Sequence, residues 1–165
     1  MIFGVALIEE YFKYLVLTKY AYKQDSFNEP MDGIVYGVIA SLGFALVENI
    51  IYVFLYADPG QEMIVGILRM FTAIPAHALM GVIMGYYIGK AKFAETPEEE
   101  KALTYRGLFI AIGIHGLYNF ILFISADSST GGSFGFLIFP LLYFSFKIIK
   151  SHIRDAVNED ISMNR

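Results

Sequence analysis

Seven ionisable side chains fall inside apolar stretches of this sequence: Glu9, Glu10 and Lys13, then Glu48, then Arg69 and His77, then His115. A charge at the centre of a bilayer costs at least ~2.5–3.5 kcal/mol, so groups of this kind are functional candidates by default. Three carboxylates and two imidazoles are the parts a hydrolase needs. One group activates water, another stabilises the developing oxyanion, and a third returns a proton to the leaving group. A metal-dependent version uses the same residues, because one Glu with His77 and His115 meets the three-ligand pattern of catalytic zinc. The chain has no HExxH sequence, and spacing alone leaves both versions open.

Spacing assigns these residues to helix faces. Glu9 and Lys13 stand at i, i+4, the favourable order for an ion pair on one helix. Glu10 lies about 100° around the helix from Glu9, so the two carboxylates cannot have the same partner set. His77, Gly81, Gly85 and Gly89 repeat every fourth residue. A glycine ridge of this kind lets another helix approach closely and would press His77 into a bundle. His115 and Asn119 share a face with Ala111 and Gly107, and Glu48 shares one with Phe44 and Ser41, with Asn49 following it.

The elements that must position these groups are set by composition. Of 165 residues, 56% are hydrophobic and 17% charged, against ~25% charged in soluble domains. Mean hydropathy is +0.55, and Phe 15 with Tyr 12 supply the aromatics. These values predict an integral membrane protein in the lipid bilayer. A net charge of −4 leaves no basic face for nucleic acid. Cys 0 excludes disulfides, thiol catalysis and cysteine-ligated zinc.

A spanning helix needs ~20 mostly apolar residues, and about five stretches qualify: Ile2–Ala21, Met31–Tyr56, Met63–Gly89, Tyr105–Ile124 and Phe134–Ile149. The predicted fold class is therefore all-α, a polytopic transmembrane bundle of about five helices with a polar cluster inside it. Pro75 predicts a kink in the third helix. Between the third and fourth, Thr96 and Pro97 predict the cap and first position of a short surface helix. No ~10-residue segments of alternating polarity suggest a β-barrel. The N-terminus lacks the basic region of a signal peptide, and Glu9-Glu10 interrupts its apolar run. Residues 1–154 read as one helical domain and residues 155–165 as a short polar tail.

Lys and Arg placement sets the orientation. Lys19, Lys23, Lys90, Lys92, Lys101, Arg106, Lys147, Lys150, Arg154 and Arg165 occupy alternate connections and the tail, while the segments Ala57–Glu62 and Ser125–Ser133 contain none. Five helices thread this pattern with the N-terminus outside and the C-terminus in the cytoplasm. At 1.5 Å per residue, Glu9, Glu10, Glu48 and His115 fall roughly 10–15 Å from the outer helix ends, and His77 about 20 Å. Four helices thus deliver polar groups to one layer. Taken singly, each has a structural explanation: a buried Glu9–Lys13 pair, packing histidines, Arg69 balancing a carboxylate, Glu48 joining two helices. A shared depth is what those explanations do not supply. The Glu98-Glu99-Glu100 run reads as a solvated face, and His152 as a surface residue.

At these residues the sequence resembles the PrsW family of intramembrane proteases, part of the group that includes the CAAX prenyl proteases. The matching elements are Glu9-Glu10-x-x-Lys13, Phe44-x-x-x-Glu48-Asn49, Arg69 followed by Pro75-x-His77, and His115-x-x-x-Asn119-Phe120. They cover roughly positions 9–120, and the ordered set of four is more specific than any one of them. The resemblance implies peptide-bond hydrolysis in a prokaryotic inner membrane. Its expected substrate is a membrane-anchored protein such as an anti-sigma factor, in site-1 cleavage under envelope stress. It also implies further helices ahead of the paired glutamates, which here follow Met1 closely. Glu9 or Glu10 is expected as the base with His77 sharing the water. His115 and Asn119 are expected to stabilise the oxyanion, and Lys13, Phe44, Glu48, Asn49 and Arg69 to support the cluster. No cofactor is required by the glutamate version; zinc is the metal of the other. A CAAX-like processing peptidase, a proton-coupled transporter and a non-enzymatic scaffold are the competing classes, and the transporter would be expected to show half-repeats that the sequence lacks.

Overall fold

The computed structural model describes residues 2–126 and 134–163, with side chains from Gly4 onward. Among these residues every regular element is helical: α1 (Ile2–Lys19), a 3₁₀ turn (Ala21–Lys23), α2 (Pro30–Ile51), α3 (Glu62–Phe71), α4 (Ala73–Lys92), α5 (Pro97–Ala126), a second 3₁₀ turn (Gly135–Leu137) and α6 (Ile138–Met163). The segments Pro30–Tyr56, Glu62–Lys92, Pro97–Ala126 and Gly135–Met163 are long and apolar enough to cross a membrane. With α1, whose 18 residues include Glu9, Glu10, Lys13 and Lys19, they make the expected bundle of about five. Large side chains point outward, among them Ile39, Leu46, Phe109 and Phe144. That outward apolar coat suits a lipid solvent, in which burying hydrocarbon supplies no drive for helices to associate.

Close packing does that work instead, and α4 is the axis of it. Its buried residues run from Ala73 to Ala91, covering most of its circumference. The ridge of Gly81, Gly85 and Gly89 does receive a helix, and that helix is α2. A complementary ridge on α2, Pro30, Gly33, Gly37 and Ser41, meets it residue for residue. A Cβ built on Gly85 lands on the Gly33 carbonyl oxygen, and one on Gly33 lands on the Gly85 carbonyl oxygen. Backbone cannot retreat as a flexible side chain can. Gly85→Leu is therefore expected to lower the melting temperature in detergent, by at least the ~1–3 kcal/mol typical of overpacking; wild-type melting would mean that α2 does not approach this face.

The third apolar stretch is two helices rather than one kinked helix. The break falls at Thr72, whose backbone leaves the helical region at φ −121° and ψ −61°. Pro75 explains it: the residue has no N–H for the Phe71 carbonyl, and its ring crowds that carbonyl. Thr72 stabilises the break by donating Oγ1–H to the Leu68 carbonyl at 2.8 Å and accepting from Tyr118 at 3.2 Å. The end of α2 also departs from regular helix, closing in a π turn over Tyr52–Tyr56.

Two polar segments are more ordered than their composition suggested. Thr96 does cap a helix, accepting from the Glu99 N–H at 3.2 Å, yet that helix is not a short surface piece. It continues without a break as the 30-residue α5, since the segment from Glu98 to Tyr105 has no Gly or Pro to terminate it. Glu98 and Glu99 face solvent, whereas Glu100 accepts a hydrogen bond from Tyr22 at 2.8 Å. Likewise α6 continues past Ile149 to Met163, burying Ala156 and Asp160 and pairing Glu159 with Lys90 at 2.6 Å. His152 is half-buried rather than free on the surface, its ring stacked 4.1 Å from Tyr86. The Ser/Thr/Gly connection at residues 127–133 lies outside the described residues.

Candidate active site

Four helices bring the expected polar groups into one contact network. On α1, Glu10 and Lys13 are fully enclosed, and Lys13 Nζ donates to Glu10 Oε1 at 2.6 Å. The same ammonium lies 2.9 Å from His77 Nδ1 of α4 and 5.2 Å from the centre of the Phe44 ring of α2. His77 Nε2 reaches Glu48 Oε2 of α2 at 2.8 Å. From α5, His115 Nδ1 reaches Glu10 Oε1 at 2.7 Å, and its Nε2 stands 3.6 Å from Glu9 Oε2. The two imidazoles meet edge to face, with centres 5.4 Å apart.

A second ring of contacts closes the α2 side. Arg69 of α3 donates Nη2–H to Glu48 Oε2 at 2.9 Å and Nε–H to Asn49 Oδ1 at 2.5 Å, and its guanidinium lies 4.0 Å from the centre of Tyr52. Arg69 thus balances a carboxylate, and it is the polar tie between α3 and the rest of the site. With neutral imidazoles, Glu9, Glu10 and Glu48 against Lys13 and Arg69 leave one net negative charge. Removing so many charges from water is repaid only when each is paired and hydrogen-bonded, and nearly all are.

The exceptions are informative. Among the described residues, Glu9 Oε2 and Glu10 Oε2 are buried without a hydrogen-bond partner. A buried polar atom left unsatisfied costs ~1–3 kcal/mol, more when charged, and such atoms occur at catalytic sites and where a water or ion binds. Glu9, His77 and His115 each offer a ligand atom, and these lie within 4.8 Å of one another. Two histidines and a carboxylate with a fourth position open is a donor set suited to a catalytic divalent metal. The residues present fit one.

A model of the family described as PrsW family intramembrane metalloprotease matches residues 1–147 of this chain. The chain belongs to the PrsW family. Curated relatives named Protease PrsW include one from Clostridioides difficile, 39% identical over 118 residues, which are 72% of this chain and 49% of the relative. The Oceanobacillus iheyensis relative is 44% identical over 120 residues, 73% of this chain and 53% of the relative. The one from Bacillus subtilis is 41% identical over 115 residues, 70% and 50% of the respective chains. This PrsW-family chain spans about half the length of these relatives. No solved structure matches it.

Most residues singled out in the sequence of this PrsW-family chain meet in the network, with one correction. Lys13 pairs with Glu10 at i, i+3, not with Glu9 at i, i+4, because His115 draws Glu10 Oε1 to the same point. The partner sets of the two glutamates differ, as their helix positions imply: both reach His115, at opposite nitrogens of its ring, and Lys13 pairs with Glu10. Asn119, one turn beyond His115, is half-buried and makes no side-chain hydrogen bond among the described residues. Three residues went unread: Tyr52 beneath Arg69, and Tyr118 with Thr72 at the helix break. Their signal was available, since Tyr52 lies four residues after Glu48 and Tyr118 three after His115.

Proposed function

We propose that this chain carries the hydrolytic centre of an intramembrane protease whose substrate is a membrane-anchored protein of the anti-sigma-factor kind. The observation that carries the proposal is the convergence of three carboxylates and two imidazoles from α1, α2, α4 and α5 into direct contact, with two carboxylate oxygens unpartnered. Membership of a family described as intramembrane metalloproteases supports the reaction class.

The roles follow from which atoms are free. Glu9 is the better base of the two glutamates: its side chain is 13% exposed, and the oxygen facing His115 is unpartnered. Glu10 is fully enclosed and spends Oε1 on both Lys13 and His115. In the mechanism, Glu9 takes a proton from the attacking water at Oε2 and returns it to the leaving amine. Glu10 holds His115 through Nδ1, a carboxylate–histidine arrangement that also orients metal ligands. Glu48, fixed by Arg69, which Asn49 holds in turn, holds His77. In the metal-dependent version, Glu9 and His115, with His77 once Lys13 or Glu48 releases it, are the residues that would hold a zinc ion; it would supply Lewis acidity toward the scissile carbonyl, and Glu9 would then serve as a ligand instead of the base. Asn119, on the His115 face, is left to contact the substrate or the oxyanion.

The same proposal treats residues 1–154 as the protease domain and residues 155–165 as a cytoplasmic tail, in an inner membrane with the N-terminus outside. Incubation with a single-span substrate in liposomes tests the activity: cleavage is expected, and solute flux without cleavage would favour a transporter. For orientation, the background is clean because the chain has Cys 0. Gln61→Cys is expected to react with an impermeant thiol reagent in intact cells and Glu99→Cys to stay unlabelled. Gln61 serves better than Gly60, whose φ of +85° suits only glycine. Labelling of Glu99→Cys alone would invert the topology.

A further inference from the structure

The two imidazoles of the cluster are related by composition but not by hydrogen bonding. An ammonium has three donors and no acceptor, an ionised carboxylate only acceptors, and a neutral imidazole one of each. His77 sits between one of each kind. Lys13 Nζ lies 2.9 Å from Nδ1 and Glu48 Oε2 lies 2.8 Å from Nε2. Lys13 must donate to Nδ1, so the ring proton must sit on Nε2 and point at Glu48. His77 then has no free lone pair.

His115 is arranged the other way. Its Nδ1 lies 2.7 Å from Glu10 Oε1, an acceptor, so the proton sits on Nδ1. Its Nε2 keeps a lone pair. Glu9 Oε2 stands 3.6 Å from it, beyond hydrogen-bond distance. One lysine and one glutamate on the same turn of α1 thereby impose opposite tautomers on two rings 5.4 Å apart.

We propose that Lys13 is a positioning residue that locks His77 in the Nε2–H form, so that His115 alone presents an open imidazole nitrogen to the water or metal position beside Glu9. His77 becomes a donor bridging Lys13 to Glu48. Its entry as a third ligand requires Lys13 or Glu48 to release it. The consequence for catalysis rests on the hydrolytic reading above; the tautomer assignment does not.

The chain has His 3, and His152 lies on α6 against Tyr86, so the nitrogen spectrum of histidine-labelled protein in liposomes contains three rings. Solid-state NMR of the metal-free protein is expected to show His77 protonated on Nε2 and His115 on Nδ1, assigned through His77→Gln and His152→Gln. Lys13→Met should shift the His77 Nδ1 signal while His115 keeps its proton on Nδ1, and Lys13→Arg, which restores a donor, should bring the His77 signal back. In the cleavage assay, His115→Gln should lose about 10²–10⁴-fold, the usual worth of a positioned acid–base group. His77→Gln should lose at least tenfold less, because an amide can still accept from Lys13 and donate to Glu48. An Nδ1–H proton on His77, an Nε2–H proton on His115, or equal loss in the two Gln variants at unchanged melting temperature overturns the proposal. Absence of cleavage by the wild type would instead sink the protease reading, while the metal-free spectrum still decides the tautomers.

Discussion

Glu9→Gln is expected to reduce cleavage of a single-span membrane substrate by about 10²–10⁴-fold, the range typical for loss of a general base, while the variant inserts, purifies and melts like the wild type. The substitution keeps volume and one acceptor and removes the ionisable oxygen. Glu9 is the expendable member for folding: it has no hydrogen bond at Oε2 and stands 3.6 Å from its nearest ionic neighbour. Groups acting as one catalytic unit are strongly non-additive, so Glu9→Gln/His115→Gln should be little worse than the poorer single variant. Glu99→Gln, on the exposed start of α5, is the control that stays active. Near wild-type turnover by Glu9→Gln would move the base elsewhere, and similar turnover by His115→Gln would make the cluster structural.

Glu10→Ala should behave in the opposite way, failing as a fold before it fails as a catalyst. Glu10 and Lys13 are almost completely buried. Removing the carboxylate strands an ammonium and takes the acceptor from His115 Nδ1. Breaking one side of a buried ion pair costs ~3–5 kcal/mol, because the remaining charge is uncompensated. Thermal melting in detergent micelles is expected to show a large drop for Glu10→Ala. A Glu10→Ala/Lys13→Met double variant should recover part of it, since the stranded charge is then gone, a coupling that independent sites would not show. A double variant less stable than Glu10→Ala would mean that Lys13 is held mainly by His77 and Phe44.

The class of the molecule and the membership of its buried polar network were legible in the sequence because both are consequences of cost. A composition this apolar has no other solvent than lipid, and a charge inside an apolar stretch is too expensive to retain without use. That logic marked Glu9, Glu10, Lys13, Glu48, Arg69, His77 and His115 before any contact was known. Periodicity likewise marked the Gly81, Gly85 and Gly89 ridge as a close helix contact, because only a missing side chain permits one. Local chemistry marked the Thr96 cap and trouble near Pro75.

Tertiary structure decided what local rules leave degenerate. The i, i+4 rule favours Glu9 as the partner of Lys13, by a few tenths of a kcal/mol. The observed partner is Glu10, because His115 and His77, brought from α5 and α4, compete for the same atoms at far higher stakes in a low dielectric. Helix spacing places an imidazole on a face and says nothing of which nitrogen is open. That depends on whether a donor or an acceptor from another helix stands opposite it, which is why His77 and His115 look alike in the chain and differ in the bundle. Polar ends behave similarly: the Thr96 cap announces only a short helix over residues 97–104, and residues 155–163 carry no apolar stripe to announce one, yet α5 and α6 run through them, with Glu100 meeting Tyr22 and Glu159 meeting Lys90. Sequence determined which groups had to be sheltered together; only the packing of α2 on α4, and of α1 on α5, decided which atoms of those groups remain free.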